Sequence, residues 1–203
     1  MKTKIALIIA ATLVTQTSFA KDKVNLQQSI KLTAESTVHF DVPVGSLNIE
    51  TYNGDTLELD IEVKEADSDW FSSADLEDVE LTIDQRDNAV LLEIDMEDVV
   101  QKWSVRIPKN IHLDIDLGVG EVEIDDFERT ATIDVGVGEV DIDLENDNYR
   151  LIDLETGVGD VDLRGFNNID RERNLVNESI RWRGKGEYDL EIEVGVGEIN
   201  VQE

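Results

Sequence analysis

The chain has 203 residues, with 47 Asp and Glu against 18 Lys and Arg and a formal net charge of −29 at neutral pH. That balance excludes nucleic acid and anionic membrane surfaces as main partners, because phosphate binding needs clustered Lys and Arg. The absence of Cys excludes disulfides, cysteine catalysis and lipid attachment through a cleavage-site cysteine, so stability must come from packing and backbone hydrogen bonds.

The N-terminus reads as a secretory signal peptide. Lys2 and Lys4 form a basic start, residues 5–14 an apolar run, and Ser18-Phe19-Ala20 supplies small residues for cleavage after Ala20. The run is too short for a comfortable membrane span, which takes about 20 apolar residues, and no later stretch is apolar enough to span. The expected location is periplasmic, secreted or at the cell surface. The mature chain, 21–203, reads as a single domain without a Pro/Gly/Ser-rich linker.

Acidic chains with few aromatics often stay disordered, but here the acids alternate with Val, Ile and Leu instead of running in blocks. Residues 57–63, 79–83 and 112–117 place apolar side chains on one face and carboxylates on the other, the pattern of half-buried strands. Asn53-Gly54 and Arg86-Asp87-Asn88 are turn signals between them. Residues 66–78, with Trp70, Phe71 and Leu76, are the best candidate for a short helix or structured loop, and Ser72-Ser73-Ala74-Asp75 reads as its turn or cap. Residues 21–110 are the less regular part and are expected to begin as paired antiparallel strands.

From residue 111 the chain repeats one phrase. Gly118-Val119-Gly120-Glu121-Val122-Glu123-Ile124 returns at 136–142, 157–163 and 195–201, and Gly45-Ser46-Leu47-Asn48-Ile49 is a degenerate earlier copy. Fixed-period self-similarity is the sign of a repeat architecture. The first glycines are 18, 21 and 38 residues apart, and 38 reads as two turns of 19. The prediction is an all-β fold, a β-solenoid of stacked coils of about 18–21 residues, eight or nine in all. Ile115, Leu117 and Val119 share one parity while Val122 and Ile124 fall out of step, so a bend follows each Gly-x-Gly. A further copy at Gly184-Lys185-Gly186 sits only 11 residues before Gly195 and does not fit the register.

Stacking turns equivalent positions into columns. One carries Asp116, Asp134, Glu155 and Glu193; a second Glu121, Glu139, Asp160 and Glu198; a third Glu123, Asp141, Asp162 and Asn200. Like charges about 4.8 Å apart in water repel by about 0.9 kcal/mol before screening. The columns are therefore tolerable as a solvated acidic face. Oxygen-rich columns also suit Ca²⁺, which makes Glu121, Glu139, Asp160 and Glu198 candidate metal ligands and Ca²⁺ the one candidate cofactor. Known calcium loops do not match: the Asp that a calcium β-roll needs is replaced by Val122, Val140, Val161 and Ile199. Nor is the phrase a dinucleotide fingerprint, since Glu123 stands where the third glycine belongs. His39 and His112 sit in alternating strand patterns, and no acid/base pair stands out for catalysis.

One stretch breaks the acidic background. Arg164, Arg171, Arg173, Arg181, Arg183 and Lys185, set against Asp170, Glu172 and Glu178, leave it at net +3. Arginines that neutralise neighbouring acids or cap the stack are one reading. The other is a partner-binding site at Arg181, Trp182 and Arg183, because Trp with Arg is the composition of binding hot spots.

The four Gly-x-Gly phrases resemble a bacterial putative-adhesin family of domains of unknown function, built from Gly-x-Gly-[Asp/Glu]-[Val/Ile]-x-[Ile/Val/Leu] strands. The likeness runs from about Val38 to the end. The resemblance implies an exported, solenoid-like β protein with a surface or adhesive role. The sequence-level function is thus a non-enzymatic envelope protein, adhesin-like or scaffold, binding an envelope or surface protein or a glycan. The alternatives are an acidic Ca²⁺-binding module and, third, a carbohydrate-active enzyme on a β-helix. A saline habitat accounts for the acidity equally well.

Overall fold

A computed structural model describes residues 23–66 and 75–203. Residues 1–20, where the signal peptide is expected, and the stretch holding Trp70, Phe71 and Ser72-Ser73-Ala74 lie outside them. Just past that stretch, Asp75 caps a short 3₁₀ turn, Leu76–Asp78, by accepting a hydrogen bond from the Glu77 N–H at 3.1 Å.

Alternation does produce strands. Twelve are present among the described residues: β1 (Lys23–Lys31), β2 (Thr37–Tyr52), β3 (Thr56–Glu65), β4 (Thr82–Arg86), β5 (Ala89–Glu93), β6 (Val99–Pro108), β7 (His112–Phe127), β8 (Ala131–Leu144), β9 (Tyr149–Leu163), β10 (Asp170–Arg173), β11 (Glu178–Arg183) and β12 (Tyr188–Gln202). They form one open sheet. Its centre is five long parallel strands in the order β2-β7-β8-β12-β9. Each is a rung with two arms joined at the Gly-x-Gly corner. Outside β2, the two arms pair with different strands: β5 runs parallel to the first arm and β6 to the second. The outer strands are antiparallel, β3 on β6 and β1 on β3 at one end, β4 on β5, and β11 on β9 with β10 beyond at the other. The antiparallel beginning expected for the first half is therefore present.

The register repeats the phrase on itself. Gly45, Gly120, Gly138, Gly197 and Gly159 lie side by side across the five rungs. Their inner faces stack like residues: Phe40, Ile115, Ile133, Ile192 and Leu154 make one column on the first arm, and Ile49, Ile124, Ile142, Val201 and Leu163 one on the second. All ten are buried in a single core cluster. Trp103 fills the β6 end of that core edge-on to Phe40 at 6.0 Å. Its Nε1–H donates to Gln101 Oε1 at 2.9 Å, and the Gln101 amide donates to the Ile94 carbonyl at 3.0 Å, so both buried polar groups have partners.

Two expectations are corrected. First, the rungs do not wind in chain order as a regular solenoid would, and among the described residues there are five of them, not eight or nine. β12 is inserted between β8 and β9, and the 38 residues separating Gly157 from Gly195 hold no hidden coil. That segment instead folds out as the β10–β11 hairpin on the far side of β9 and then crosses back. The out-of-register glycines serve this crossing. A Cβ on Gly186 would lie 2.1 Å from the Asn148 carbonyl carbon, and one on Gly184 2.3 Å from the Tyr149 carbonyl oxygen. The returning chain hydrogen-bonds there through Gly184, Gly186 and Glu187 N–H groups, each 3.0 Å from its acceptor. Second, Val119 does not join Ile115 and Leu117 in the core. The bend between two glycines turns it outward, and 47% of it is exposed.

Side chains are excluded from the second glycine of each corner by its neighbour. A Cβ on Gly138 would stand 1.7 Å from the Gly120 carbonyl oxygen, and one on Gly197 1.6 Å from that of Gly138. Gly138→Ala is expected to destabilise the protein by roughly 3 kcal/mol in denaturant unfolding, because rungs fixed on both sides cannot move apart. Val137→Thr, one residue away and outward-facing, is expected to stay within about 0.5 kcal/mol of the unchanged protein. Equal costs for the two would show that the corner is not under this constraint.

Candidate functional site

The outer face of the stacked arms carries the three predicted acidic columns, with β12 interleaved. Across the rungs in spatial order they read Asp41, Asp116, Asp134, Glu193, Glu155 before the corner; Ser46, Glu121, Glu139, Glu198, Asp160 just after it; and Asn48, Glu123, Asp141, Asn200, Asp162 two residues on. Glu198, last of its kind in the chain, therefore sits between Glu139 and Asp160.

Crowding shows in the acidities. Asp141 first, then partial burial and the neighbouring Glu198 and Glu121, hold the Glu139 carboxyl above the usual range. Partial burial first, and then Asp116 and Glu193, push Asp134 up. Partial burial, then Glu123 and Asp143, do the same to Asp125. Amides dilute the charge at intervals: Asn48 donates to Glu123 at 2.7 Å, Asn200 to Glu139 at 3.2 Å and Gln202 to Asp143 at 2.5 Å. Along the second arms the face dips into a groove of about 350 Å³ whose lining includes Glu123, Asp125, Asp141, Asp143, Asp162 and Arg164. The four candidate metal ligands, Glu121, Glu139, Glu198 and Asp160, share one column and so spread along it. No three His, Asp or Glu among the described residues converge closely enough to hold an ion.

The arginine-rich interruption lies against the last rung. Arg173 reaches Asp160 at 2.5 Å and Arg164 reaches Asp162 at 2.6 Å. Arg181 pairs with Asp153 through two of its nitrogens. The buried Glu178 accepts from Arg171 at 3.2 Å and from the Val161 N–H at 3.3 Å, which pins the β10–β11 hairpin to β9. Trp182 packs edge-on against Phe166 at 4.8 Å and donates its indole N–H to the Asn167 carbonyl at 3.0 Å. Arg183 is exposed and has no ion-pair partner among the described residues. These cations end at β9. At β2, His39 lies 3.1 Å from Asp114 and 3.4 Å from Asp116. Between the ends, Glu121, Glu139, Glu198, Asp134 and Glu193 have no ion-pair partner among the described residues.

Parity alone misses the apex. Val44, Val119, Val137, Val196 and Val158 occupy the middle of each corner, share one register, and are between 38% and 49% exposed. They form a straight apolar ridge with glycine, or Pro43, on either side and an acidic column along each flank. On the first-arm side lies a shallow groove of about 540 Å³, floored by Gly118, Gly136 and Gly195 and walled by Asp116, Asp134 and Glu193. The signal in sequence is the five-residue gap between Leu117 and Val122 in a period of two.

The two kinds of carboxylate act oppositely with pH. Glu139, Asp134 and Asp125 have folded-state pKa values raised above their unfolded ones, so the native state binds protons first and gains stability as pH falls through that range. Glu62 is the reverse: hydrogen bonds from Lys23 and then Lys64 hold it at about 2, so its contribution is complete above its ordinary 4.5 and is lost as pH falls toward that low value. The melting midpoint is expected to rise as pH falls into the upper part of the carboxylate range and to fall again as pH drops further toward the low value of Glu62. Glu139→Gln is expected to raise the midpoint at pH 7 and flatten the rise. A midpoint that drops steadily from pH 7 would contradict this.

Comparison with known proteins adds a fold likeness and a family. A putative cell adhesion protein from Clostridium sporogenes superposes with a TM-score of 0.52 at 16% identity, covering 88% of this chain and 99% of its own. A putative adhesin from Bacteroides fragilis matches at 12% identity over 87% of this chain and 96% of its own, with a TM-score of 0.28, too low to carry a fold assignment. No curated protein matches the chain. The model of the N-terminal domain of toast_rack, DUF2154, matches residues 14–164, ending with the fourth glycine-cornered rung in chain order, and by that match the chain belongs to this family.

Proposed function

We propose that the chain is an exported, non-enzymatic protein of the cell envelope whose acid-columned sheet is a rigid binding platform, adhesin-like or scaffolding, for a basic envelope or surface partner. One observation carries this reading. The middle rungs present carboxylates in unbroken register, while the arginines 164, 173 and 181 pair with acids at the β9 end. Such a face concentrates cations and steers basic partners. The signal-peptide pattern of residues 1–20 supports export, and the description of the Clostridium sporogenes fold neighbour as a putative cell adhesion protein fits a surface role. Among the described residues no helix is long and apolar enough to cross a membrane.

Repetition supports the non-enzymatic reading. A paired general acid and base is marked by two groups whose environments push their pKa values apart. Here Glu139, Asp134 and Asp125 are all pushed upward, Glu139 first by neighbouring carboxylates and Asp134 and Asp125 first by partial burial, so no pair on this face is split into an acid and a base. A second reading, a Ca²⁺-dependent module, draws on the oxygen-only composition of the column Glu121, Glu139, Glu198 and Asp160.

The test is co-sedimentation of the mature protein, residues 21–203, with envelope fragments at low and high salt. Binding at about 50 mM salt that is largely lost by about 300 mM is expected, because screening shortens the reach of the columns. No retention at low salt would overturn the platform. In parallel, a melting midpoint unchanged by millimolar Ca²⁺ would remove the calcium reading.

A further inference from the structure

The feature that the acidic platform does not account for is the valine ridge. Exposed apolar residues scattered singly are ordinary, whereas a contiguous apolar patch rimmed by polar groups marks an interaction surface. Val44, Val119, Val137, Val196 and Val158 are contiguous, because the register of five rungs puts them in one line. At about 4.8 Å per rung the line is about 19 Å long. The backbone does not demand valine at the apex. Threonine, equally β-branched, would meet the same conformational need and keep the surface polar. The flanking glycines carry no side chains to cover the valines, and only at the β9 end does another segment border the ridge, where the Gly159 N–H donates to the Val176 carbonyl at 3.2 Å.

The flanks state what the occupant must look like. Along one side run Asp116, Asp134 and Glu193; along the other Glu121, Glu139 and Glu198. Apart from His39 at 3.4 Å from Asp116, none of these six has an ion-pair partner among the described residues. An occupant must therefore present an apolar stripe bordered on both sides by cations. An extended strand sends its side chains to two opposite faces and cannot do this. An amphipathic helix can, since residues spaced i, i+3, i+4, i+7 form one stripe and the neighbouring positions border it. About 13 helical residues, rising 1.5 Å each, match the ridge, and the pitch of 5.4 Å is close to the rung spacing. A second copy of this chain would set like columns against each other, and an anionic lipid surface would be repelled, both at a net charge of −29.

We propose that the valine ridge is a docking surface for a cationic amphipathic helix of a partner protein, its apolar stripe seated on Val119, Val137, Val196 and Val158 and its bordering Lys or Arg residues paired with the two carboxylate columns. The groove floored by Gly118, Gly136 and Gly195 receives one row of those cations. This rests on the binding-platform reading and specifies its partner.

The experiment is fluorescence anisotropy of the mature protein with a labelled synthetic peptide of about 14 residues, Leu on one helical stripe and Lys on both borders. A scrambled peptide of equal composition, and one with each Leu replaced by Ala, are the controls. The striped peptide is expected to bind at least about tenfold more tightly than either control. Protein carrying Val119→Thr, Val137→Thr, Val158→Thr and Val196→Thr is expected to lose about tenfold for the striped peptide alone, with its melting midpoint unchanged. Glu121→Gln with Glu139→Gln and Glu198→Gln is expected to weaken all lysine peptides and flatten their salt dependence. Equal binding of striped, scrambled and Ala peptides overturns the ridge while leaving the platform standing. No binding by any lysine peptide at low salt removes the platform and the ridge together. A dimer in sedimentation that the threonine substitutions dissociate assigns the ridge to a second copy and also overturns the proposal. The Ala-peptide comparison leaves the protein untouched, so a threonine variant that fails to fold does not blunt the test.

Discussion

Everything in this sheet depends on how closely the backbone of one rung approaches the next at the corner. An added Cβ at the second glycine would stand 1.6 to 1.9 Å from a carbonyl oxygen in each of the five rungs, well inside any van der Waals contact. Glycine at this position is thus what lets each rung bend against the carbonyl of its neighbour, whether that neighbour is another glycine or, for Gly45, Gln101. Once the corners stack, the register of both arms is set, since a slip of even one residue would turn every buried Val and Ile outward. The phrase that looks like a ligand loop is a steric key for self-stacking.

The same register that aligns the core aligns the charges. Identical positions on successive rungs cannot carry carboxylates without setting them about 4.8 Å apart. Burial of Ile, Val and Leu columns on the inner face outweighs this repulsion, which shows on the outer face in the raised pKa of Glu139 and, after partial burial, in that of Asp134. Amides from β12 relieve part of this repulsion in the middle, and cations relieve it at the margins. His39 lies against Asp114 and Asp116 at one end, and the arginines of residues 164–181 close the other. The arginine stretch is thereby tied to the last rung instead of standing free. Two of the outer strands are also charged, β1 with Lys23 and Lys31 at its ends and β10 as an exposed Asp-Arg-Glu-Arg, which discourages edge-to-edge pairing with other chains.

The interchanged order of the last two rungs adds a folding consequence. β12 is the C-terminal strand yet lies in the interior of the sheet, paired on both sides. The parallel stack is not complete until β12 has been placed between β8 and β9, whose connection the return segment crosses at Gly184 and Gly186. Such non-local parallel pairing is slow to form, and it ties the C-terminal residues to the integrity of the whole face.

By itself the sequence determined what local chemistry dictates. Period-two alternation specified strands and their inner faces, the repeated phrase specified which residues share a column, and even the degenerate copy at Gly45 falls in register with Gly120. The carboxylate columns were legible because their members sit at fixed offsets from the glycines. Three things were not. The spatial order β8-β12-β9 depends on which rung pairs with which, and near-identical phrases at Gly157 and Gly195 compete equally well for the place beside Gly136. The role of Gly184 and Gly186 depends on a chain crossing that no local pattern records. The valine ridge escaped because parity counts straight strands, and only the bend, produced by backbones meeting in three dimensions, turns Val119 and its counterparts out of the core to face solvent between two rows of acid.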